Sequence, residues 1–474
     1  MLDAGSDMPI YRQIADSLVS LIERGTIPAG ERLPATRELA GQLKLNRATV
    51  SAAYAVLEES GFIQGHVGRG SFVAKRSFQS GKHGIAARAP HEIAINFASS
   101  RPAADAFPLT EFRRLSKAVI DSPETAEILQ LGSPHGYAPL RRYLLDKERI
   151  EGVARTEDDL IVTNGCQQAL DLLARSFIAN GASVLCEDPI YHGLLRVFSR
   201  AGAHLIPVPV GPMGLDLDVV EEVLLRRKPR LLVVTPSFQN PTGATIPLEA
   251  RKRLVALAQS SGATLVENDI YSELRYVGEP LPTLKQLDDS GKTILLRSYS
   301  KVAFPGLRVG WVTAPREIIA RLTEEKQISD LHSDQLAQAI FLRFAESGEL
   351  GEHVKRTREA GRERLEALFR ACAAYLPEGA TWTHPEGGMC LWINLPAPLA
   401  AEALLRRVRT EGVDFLPGSN FSLNSTHSRG LRISFGGLSP EKITRGVQIL
   451  GEIASAELEA NQNGMPFEGA AALV

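Results

Sequence analysis

The 474-residue sequence predicts two folded parts of different class: a small helical unit ending in a two-stranded wing, then a larger α/β domain. Three observations predict them. Residues 1–75 run as helix, helix, turn, helix and hairpin. From residue 93 to about 457, short apolar runs alternate with amphipathic helical patterns. Between the two, residues 76–92 are basic, rich in small residues and aperiodic, as an exposed linker is. The last stretch, 458–474, reads as a flexible tail.

The first helix opens at Pro9, which suits a first turn, and buries Ile14, Leu18, Leu21 and Ile22 at helical spacing until Gly25. A turn-rich IPAGERLP follows. Ala35–Leu43 is a short second helix with Thr36 as its expected cap. KLN turns the chain, and Arg47–Glu59 forms a third helix capped by Asn46. FIQGHVGRGSFV alternates apolar residues around glycines, as a hairpin does. This order is that of a winged helix-turn-helix, whose last helix enters the DNA major groove led by its N-terminal residues. Those are Asn46, Arg47, Thr49 and Ser51. Arg and Asn read base edges through paired hydrogen bonds, whereas Thr and Ser suit phosphates. Arg37 is placed to reach the backbone, and Arg69 at the wing tip to reach the minor groove. Charge alone is a weak guide: residues 1–76 hold nine Lys/Arg against eight Asp/Glu.

Composition removes several function classes. With 44% hydrophobic and 23% charged residues the chain supports an ordinary globular core. No run of about 18 apolar residues exists, so no transmembrane helix is expected. MLDAGSDMPIYRQ lacks the basic and then apolar pattern of a secretory leader. Cys166, Cys186, Cys372 and Cys390 are scattered without metal-ligand spacing, so no metal is expected and the thiols fit a cytoplasmic protein.

In the second part, seven strands are expected at Leu160–Thr163, Ser183–Glu187, His204–Val208, Leu231–Thr235, Thr264–Glu267, Thr293–Arg297 and Val309–Thr313. Most are continuous apolar runs, as in strands buried on both faces. A mostly parallel sheet is the consequence, and ligands of such sheets sit beyond the strands' carboxyl ends. The chemistry-bearing residues fall there. Gly165-Cys166-Gln167 open a helix after the first strand, where free N–H groups suit a phosphate. Tyr191 follows the second strand and is placed to stack on a planar ring. Asn240, in NPTG, is a donor for a phenolic oxygen. Ser298-Tyr299-Ser300-Lys301 follows another strand, with Arg308 beyond. A lysine among hydroxyls and near an arginine has a lowered pKa and forms Schiff bases. Arg432, in the alternating run Gly430–Phe435, is placed to grip a carboxylate with its two-pronged fork. Each feature alone has an ordinary structural reading: a βα turn, a surface tyrosine, a turn, a solvated lysine, an ion pair.

The order and spacing of these motifs resemble known families. The first part is similar to the GntR family of winged-helix repressors through Tyr11, Gln13, Ile14, Gly25, Gly30, Leu33, Pro34, Arg37, Leu39, Ala40, Arg47, Thr49, Val50, Ala53, Tyr54, Leu57, Gly61, Gly68, Gly70, Ser71 and Val73. The second resembles the fold-type I aminotransferases that use pyridoxal 5'-phosphate (PLP), most specifically through S-x-S-K-x-x-x-P-G-L-R-x-G at Ser298–Gly310. The resemblance implies Lys301 as the PLP lysine. It implies Gly165, Cys166, Gln167, Ser298 and Arg308 as the phosphate cup, Ser300 as a further cofactor-binding residue, Tyr191 as the stacking ring, Asn240 and Tyr271 as partners of the PLP O3′, and Arg432 as the clamp for an α-carboxylate. The fold implied is the PLP-dependent transferase fold, with a large part at about 130–325 and a smaller α+β part from 93–129 and 326–457. A GntR reader fused to such a domain resembles the MocR class of regulators. That class implies binding to a double-stranded DNA operator, a head-to-tail homodimer, and an amino-acid or amine effector sensed by aldimine exchange at Lys301. A working aminotransferase that carries a DNA reader is the alternative, and a PLP domain acting only as scaffold is the third.

Two positions depart from the pattern. The family places Asp against the pyridine nitrogen, three residues before the tyrosine of E-D-D-x-Y. Here Glu267-Asn268-Asp269-Ile270-Tyr271 puts Asn268 there; Asp269, one residue on, points the other way in a regular strand and serves the ring nitrogen only if the strand bends, so both are cofactor-site candidates. Leu131 stands where the family often has Tyr; either Tyr137 substitutes or the contact is absent.

Overall fold

The computed structural model describes residues 30–43, 45–59, 62–66, 70–73, 93–178, 181–423 and 427–462, together with residues 11, 13–15, 18, 22 and 27. The expected linker, Arg69 and the end of the tail lie outside the described residues. The chain divides into two units, one ending at residue 88 and the other beginning at 89.

In the first unit, helices Thr36–Leu43 and Arg47–Glu59 precede a hairpin of β1 (Ile63–His66) and β2 (Gly70–Val73). The strands pair antiparallel from Ile63↔Val73 to His66↔Gly70. Ile14, Leu18 and Ile22 of the N-terminal segment share one core with Leu33, Val50, Ala53, Tyr54, Leu57, Ile63 and Val73. The Tyr54 hydroxyl donates to Pro34 O at 2.8 Å, which ties the third helix to the turn before the second. Asn46 caps as expected, its Oδ1 accepting from Ala48 N at 2.9 Å. Thr36 does not: it is the first residue inside its helix, one position too late to cap it.

The second unit holds the remaining strands. β3 (Ile95–Asn96), β4 (Asp158–Thr163), β5 (Ser183–Asp188), β6 (His204–Gly211), β7 (Gly214–Leu215), β8 (Leu231–Val234), β9 (Thr264–Asp269), β10 (Ile294–Ser298) and β11 (Gly310–Pro315) come first. β12 (Thr381–Trp382), β13 (Cys390–Asn394), β14 (Val413–Asp414), β15 (Leu416–Pro417) and β16 (Gly430–Ser434) follow. The large sheet has the order β4-β11-β10-β9-β8-β5-β6-β7. Its centre, β10-β9-β8-β5-β6, is parallel. β11 runs antiparallel to both its neighbours. All seven expected strands are present. The eighth, β7, spans two residues and folds back on β6, too short to leave a periodic signal.

Both faces of the sheet are covered. Val184, Cys186, Leu231, Val233, Val266 and Leu296 pack with helices Cys166–Phe177, His192–Arg200 and Arg316–Asp330. The alternate residues Leu185, Leu232, Val234 and Leu265 pack with Leu217–Arg227 and Leu248–Ser261. At about 25 cal/mol per Å² of buried apolar surface, this double burial is what holds the domain together. A smaller antiparallel sheet, β12-β13-β16-β15, and the parallel pair β14–β3 complete the unit beside the long helices Glu349–Tyr375 and Pro440–Gln462. The expected tail from 458 is therefore too long: the last helix continues to Gln462, with Leu458 against the core and Asn461 Nδ2 donating to Glu457 O. Among the described residues no helix is long and apolar enough to cross a membrane.

Candidate functional site

The carboxyl ends of β4, β5, β8, β9 and β10 converge on a cavity of about 480 Å³. Of the residues expected at a cofactor site, Cys166, Gln167, Tyr191, Asn240, Asn268, Tyr271, Ser298, Ser300, Lys301 and Arg308 line it, and so does Arg432. Gly165 and Asp269 do not.

The turn from β4 into helix Cys166–Phe177 is made by Gly165 at φ 79°, a conformation L-residues seldom adopt. Two close approaches also demand glycine here. A Cβ on Gly165 would lie 2.6 Å from Arg308 Nη2, and one on Gly310 would lie 2.7 Å from Gly165 Cα. Arg308 Nη2 donates to Asn164 O at 2.9 Å. The same turn is gripped by a group the sequence did not reveal. Asp330 Oδ2 accepts from Asn164 Nδ2 at 3.0 Å and from Gln168 Nε2 at 2.6 Å, while the buried Lys326 ammonium pairs with Asp330 Oδ1 at 2.7 Å. Gly165 thus stands behind the cavity wall and sets the direction in which the N–H groups of Cys166 and Gln167 point.

After β10 the chain turns through Ser298–Lys301. Ser298 Oγ and Ser300 Oγ are 2.7 Å apart, and Ser298 Oγ donates to Val309 O at 2.8 Å. Lys301 Nζ donates to Ser100 O at 2.7 Å and lies 5.8 Å from the centre of the Tyr271 ring. Burial lowers the Lys301 pKa to about 8, and the positive charges of Arg432 and Arg308 push the same way. Below the lysine, Asn240 Nδ2 donates to the Tyr271 hydroxyl at 3.4 Å, and burial raises the pKa of that phenol. Asn240 Oδ1 also accepts from Arg432 Nη1 at 3.2 Å. Arg432 is buried on β16, its Nη2 donates to Ala98 O, and its Nε has no partner.

Asn268 and Asp269 fall on opposite faces of β9. Asn268 faces the cavity, donating from Nδ2 to Thr235 Oγ1 at 3.3 Å, while its buried Oδ1 has no partner. Asp269 faces away and pairs with Arg297 Nε at 3.0 Å. Arg297 also lies 3.6 Å from Glu148 and from Glu151. Asp269 is thus committed to a separate charge cluster. Leu131 is 82% exposed and Tyr137 caps the next helix; neither lines the cavity. Sequence reading also missed His192 and the run Ala98–Pro102, which line the cavity but carry no motif.

In the first unit, Arg37, Asn46, Arg47 and Ser51 are exposed, and Thr49 is half-buried beside them. Asn46, Arg47, Thr49 and Ser51 come together on the first turns of helix Arg47–Glu59, the inner side of which is held by Val50 and Ala53. Arg69 lies outside the described residues.

Residues 10–73 match the bacterial regulatory proteins of the gntR family, and residues 92–450 match aminotransferase class I and II. A probable rhizopine catabolism regulatory protein, MocR, of Rhizobium meliloti is 30% identical over 100% of this chain and 99% of its own. The chain belongs to the MocR-type regulators of the aminotransferase class I and II family. The aminotransferase part of this MocR-type chain is also similar to a 2-aminoadipate transaminase of Thermus thermophilus, 38% identical over 75% of this chain and 89% of the transaminase. A crystal structure of LysN, an α-aminoadipate aminotransferase of Thermus thermophilus complexed with N-(5'-phosphopyridoxyl)-L-leucine, matches with a TM-score of 0.73. The identity is 38%, over 77% of this chain and 93% of that one. The likeness fixes the fold as a gntR-type winged helix joined to a fold-type I aminotransferase domain, with a large mixed sheet and a smaller antiparallel one. Enzymes of the aminotransferase class I and II family are typically PLP-dependent.

Proposed function

We propose that this MocR-type regulator holds PLP at Lys301, binds an amino acid or amine there, and passes that occupancy to its DNA reader. The observation that carries the reading is the cavity wall: Lys301, Arg308 and Arg432 line one pocket at the sheet's carboxyl edge, with no carboxylate among its described lining residues.

The residues present fit PLP. The Gly165–Gly310 approach leaves bare N–H groups and the Arg308 guanidinium for a phosphate, a donor set suited to a dianion. Tyr191 is there to stack on the ring, and Asn240 and Tyr271 to meet its phenolic oxygen. The unpartnered Asn268 Oδ1 accepts from a ring N–H, or its amide turns to donate to a bare ring nitrogen. When bound, PLP supplies an aldehyde that primary amines condense with and a ring that withdraws electrons from the carbon bearing the amine. Lys301, with its pKa lowered to about 8, has a substantial neutral fraction near physiological pH and so a usable lone pair. Arg432 orients the α-carboxylate of the incoming amino acid.

Two backbone carbonyls give a route outward. Arg432 holds Ala98 O and Lys301 holds Ser100 O. PLP held at Lys301 takes that lysine from Ser100 O, and an effector carboxylate on Arg432 competes for Ala98 O. The run Ala98–Pro102 follows β3, which in turn follows the linker to the reader. An effector works only through its different affinity for two states, and the held and released forms of this run are those states. A homodimer presents two readers to paired half-sites. Arg47, Asn46, Thr49 and Ser51 contact the major groove, with Arg37 and Arg69 on the backbone and minor groove.

Asn268 favours sensing over turnover. A carboxylate against the ring nitrogen keeps it protonated and strengthens the electron sink, whereas a neutral amide supports that less. The aminotransferase reading rests on the transaminase relatives and on Lys301 and Arg432. The test is operator binding by PLP-loaded protein with and without saturating amino acids. A shift in affinity that needs Lys301 supports the proposal; operator affinity indifferent to every amine tried contradicts it.

A further inference from the structure

The charges of the cavity wall name the class of effector. Lys301, Arg308, Arg432 and Arg101 all line the cavity, and no Asp or Glu among the described residues does. Three of the four have work in the reading above: the amine, the phosphate and the α-carboxylate. Arg101 is left over. The residue is exposed where it lines the cavity, and its side chain makes no hydrogen bond or ion pair to any described residue. Its backbone, by contrast, is fixed. Gly437 packs so closely against it that an added Cβ would sit 2.7 Å from Arg101 O. A free guanidinium on an anchored backbone forms a paired hydrogen bond to a carboxylate at little ordering cost. The wall mixes the polar Ser99, Ser100, Tyr191 and His192 with the apolar Leu170, Ile270 and Leu416.

We propose that Arg101 determines specificity for the effector side chain, and that the effector is an amino acid bearing a second acidic group. The inference rests on the reading of the cavity as the effector site. It adds that the α-carboxylate goes to Arg432 and the distal carboxylate to Arg101, while the effector amine takes the place of the Lys301 amine on the PLP aldehyde carbon and frees that lysine. Because Arg101 lies on the Ala98–Pro102 run, a distal acid also grips the segment that leads back to the linker. A neutral side chain leaves Arg101 solvated, at no cost but with no gain, so it binds more weakly without being excluded.

The test is an absorbance titration of the PLP-loaded full chain with matched pairs: L-glutamate against L-glutamine and L-glutamate γ-methyl ester, L-aspartate against L-asparagine. A charge-assisted hydrogen bond in a partly enclosed site predicts at least about a tenfold preference for the acid. Arg101→Ala abolishes that preference while the amides keep their affinity, and Arg101→Lys retains part of it. Added salt weakens the preference, since the guanidinium is exposed. Equal affinity for acids and amides, or an acid preference unchanged in Arg101→Ala, overturns the proposal. A spectrum that no amino acid perturbs defeats the cavity reading itself, and this inference with it. A response to amides alone defeats only the role of Arg101.

Discussion

The reader and the aminotransferase-type domain use charge in opposite ways. The reader carries Arg37 and Arg47 on its surface over a small core of Ile14, Val50, Leu57 and Val73. The second unit draws Lys301 and Arg432 into a wall and there sets Lys301 against Ser100 O, and Arg432 against Ala98 O and the Asn240 amide. Exposed cations suit a polyanion whose phosphates come with their own counterions, and the contact costs little desolvation. Enclosed cations are costly unless partnered, so they are partnered within the chain, and in the function proposed they exchange those partners for a ligand. The difference teaches that one unit recognises by adding contacts and the other by trading them. Substitutions that separate the two should therefore act on one function at a time.

The largest effect is expected from Lys301→Ala. Borohydride reduction should no longer fix PLP to the chain, read by intact mass, and amino acids should lose all influence on operator affinity. Operator binding itself should persist, since the reader's own residues are untouched. Arg47→Ala is the converse. Loss of a two-pronged base contact costs about 1–3 kcal/mol, so operator affinity should fall about tenfold to a hundredfold by fluorescence anisotropy, with PLP uptake unchanged. Unchanged operator binding would displace the recognition helix from this position. A third expectation concerns pH. Burial lowers the Lys301 pKa to about 8, so the reactive neutral amine grows as pH rises toward 8. The rate of PLP capture by stripped protein should fall about tenfold for each pH unit below that value and level off above it. A flat profile from about pH 6 to 9 would mean that the amine is already neutral. The smallest change is expected from Asn268→Asp. A carboxylate at the ring nitrogen should raise half-transamination, scored as keto acid released, by about tenfold or less, a difference of up to about 1.4 kcal/mol in barrier. No gain would remove Asn268 as the brake.

Much of this architecture is legible in the sequence because it is written in short-range terms. Glycines, caps and periods mark the reader's helices and wing. Continuous apolar runs mark strands buried on both faces, and the chemistry follows their carboxyl ends. The period of two in a strand puts Asn268 and Asp269 on opposite faces, but a bend would exchange them, and it takes β9 running unbroken through Asp269 to place Asn268 at the cavity. What stays hidden depends on distance in sequence. Asp330 grips Asn164 from 166 residues away, and nothing local marks it. The run Ala98–Pro102 has no motif, since its part is played by backbone carbonyls that every residue has. β7 is too short to show a period, and the last helix outruns its apolar pattern to Gln462 because Leu458 still finds the core. The cap expected at Thr36 is off by one residue, the usual size of error at a helix end.

The claim that this chain senses rather than transaminates is tested most directly by titrating the PLP-loaded protein with a panel of amino acids and amines, following absorbance and assaying keto acid at the end. The account predicts a new and stable spectrum with an amino acid, keto acid well below one equivalent, and a parallel change in operator affinity. Stoichiometric keto acid, followed by turnover with a second keto acid, would contradict it and make the chain an aminotransferase that carries a DNA reader.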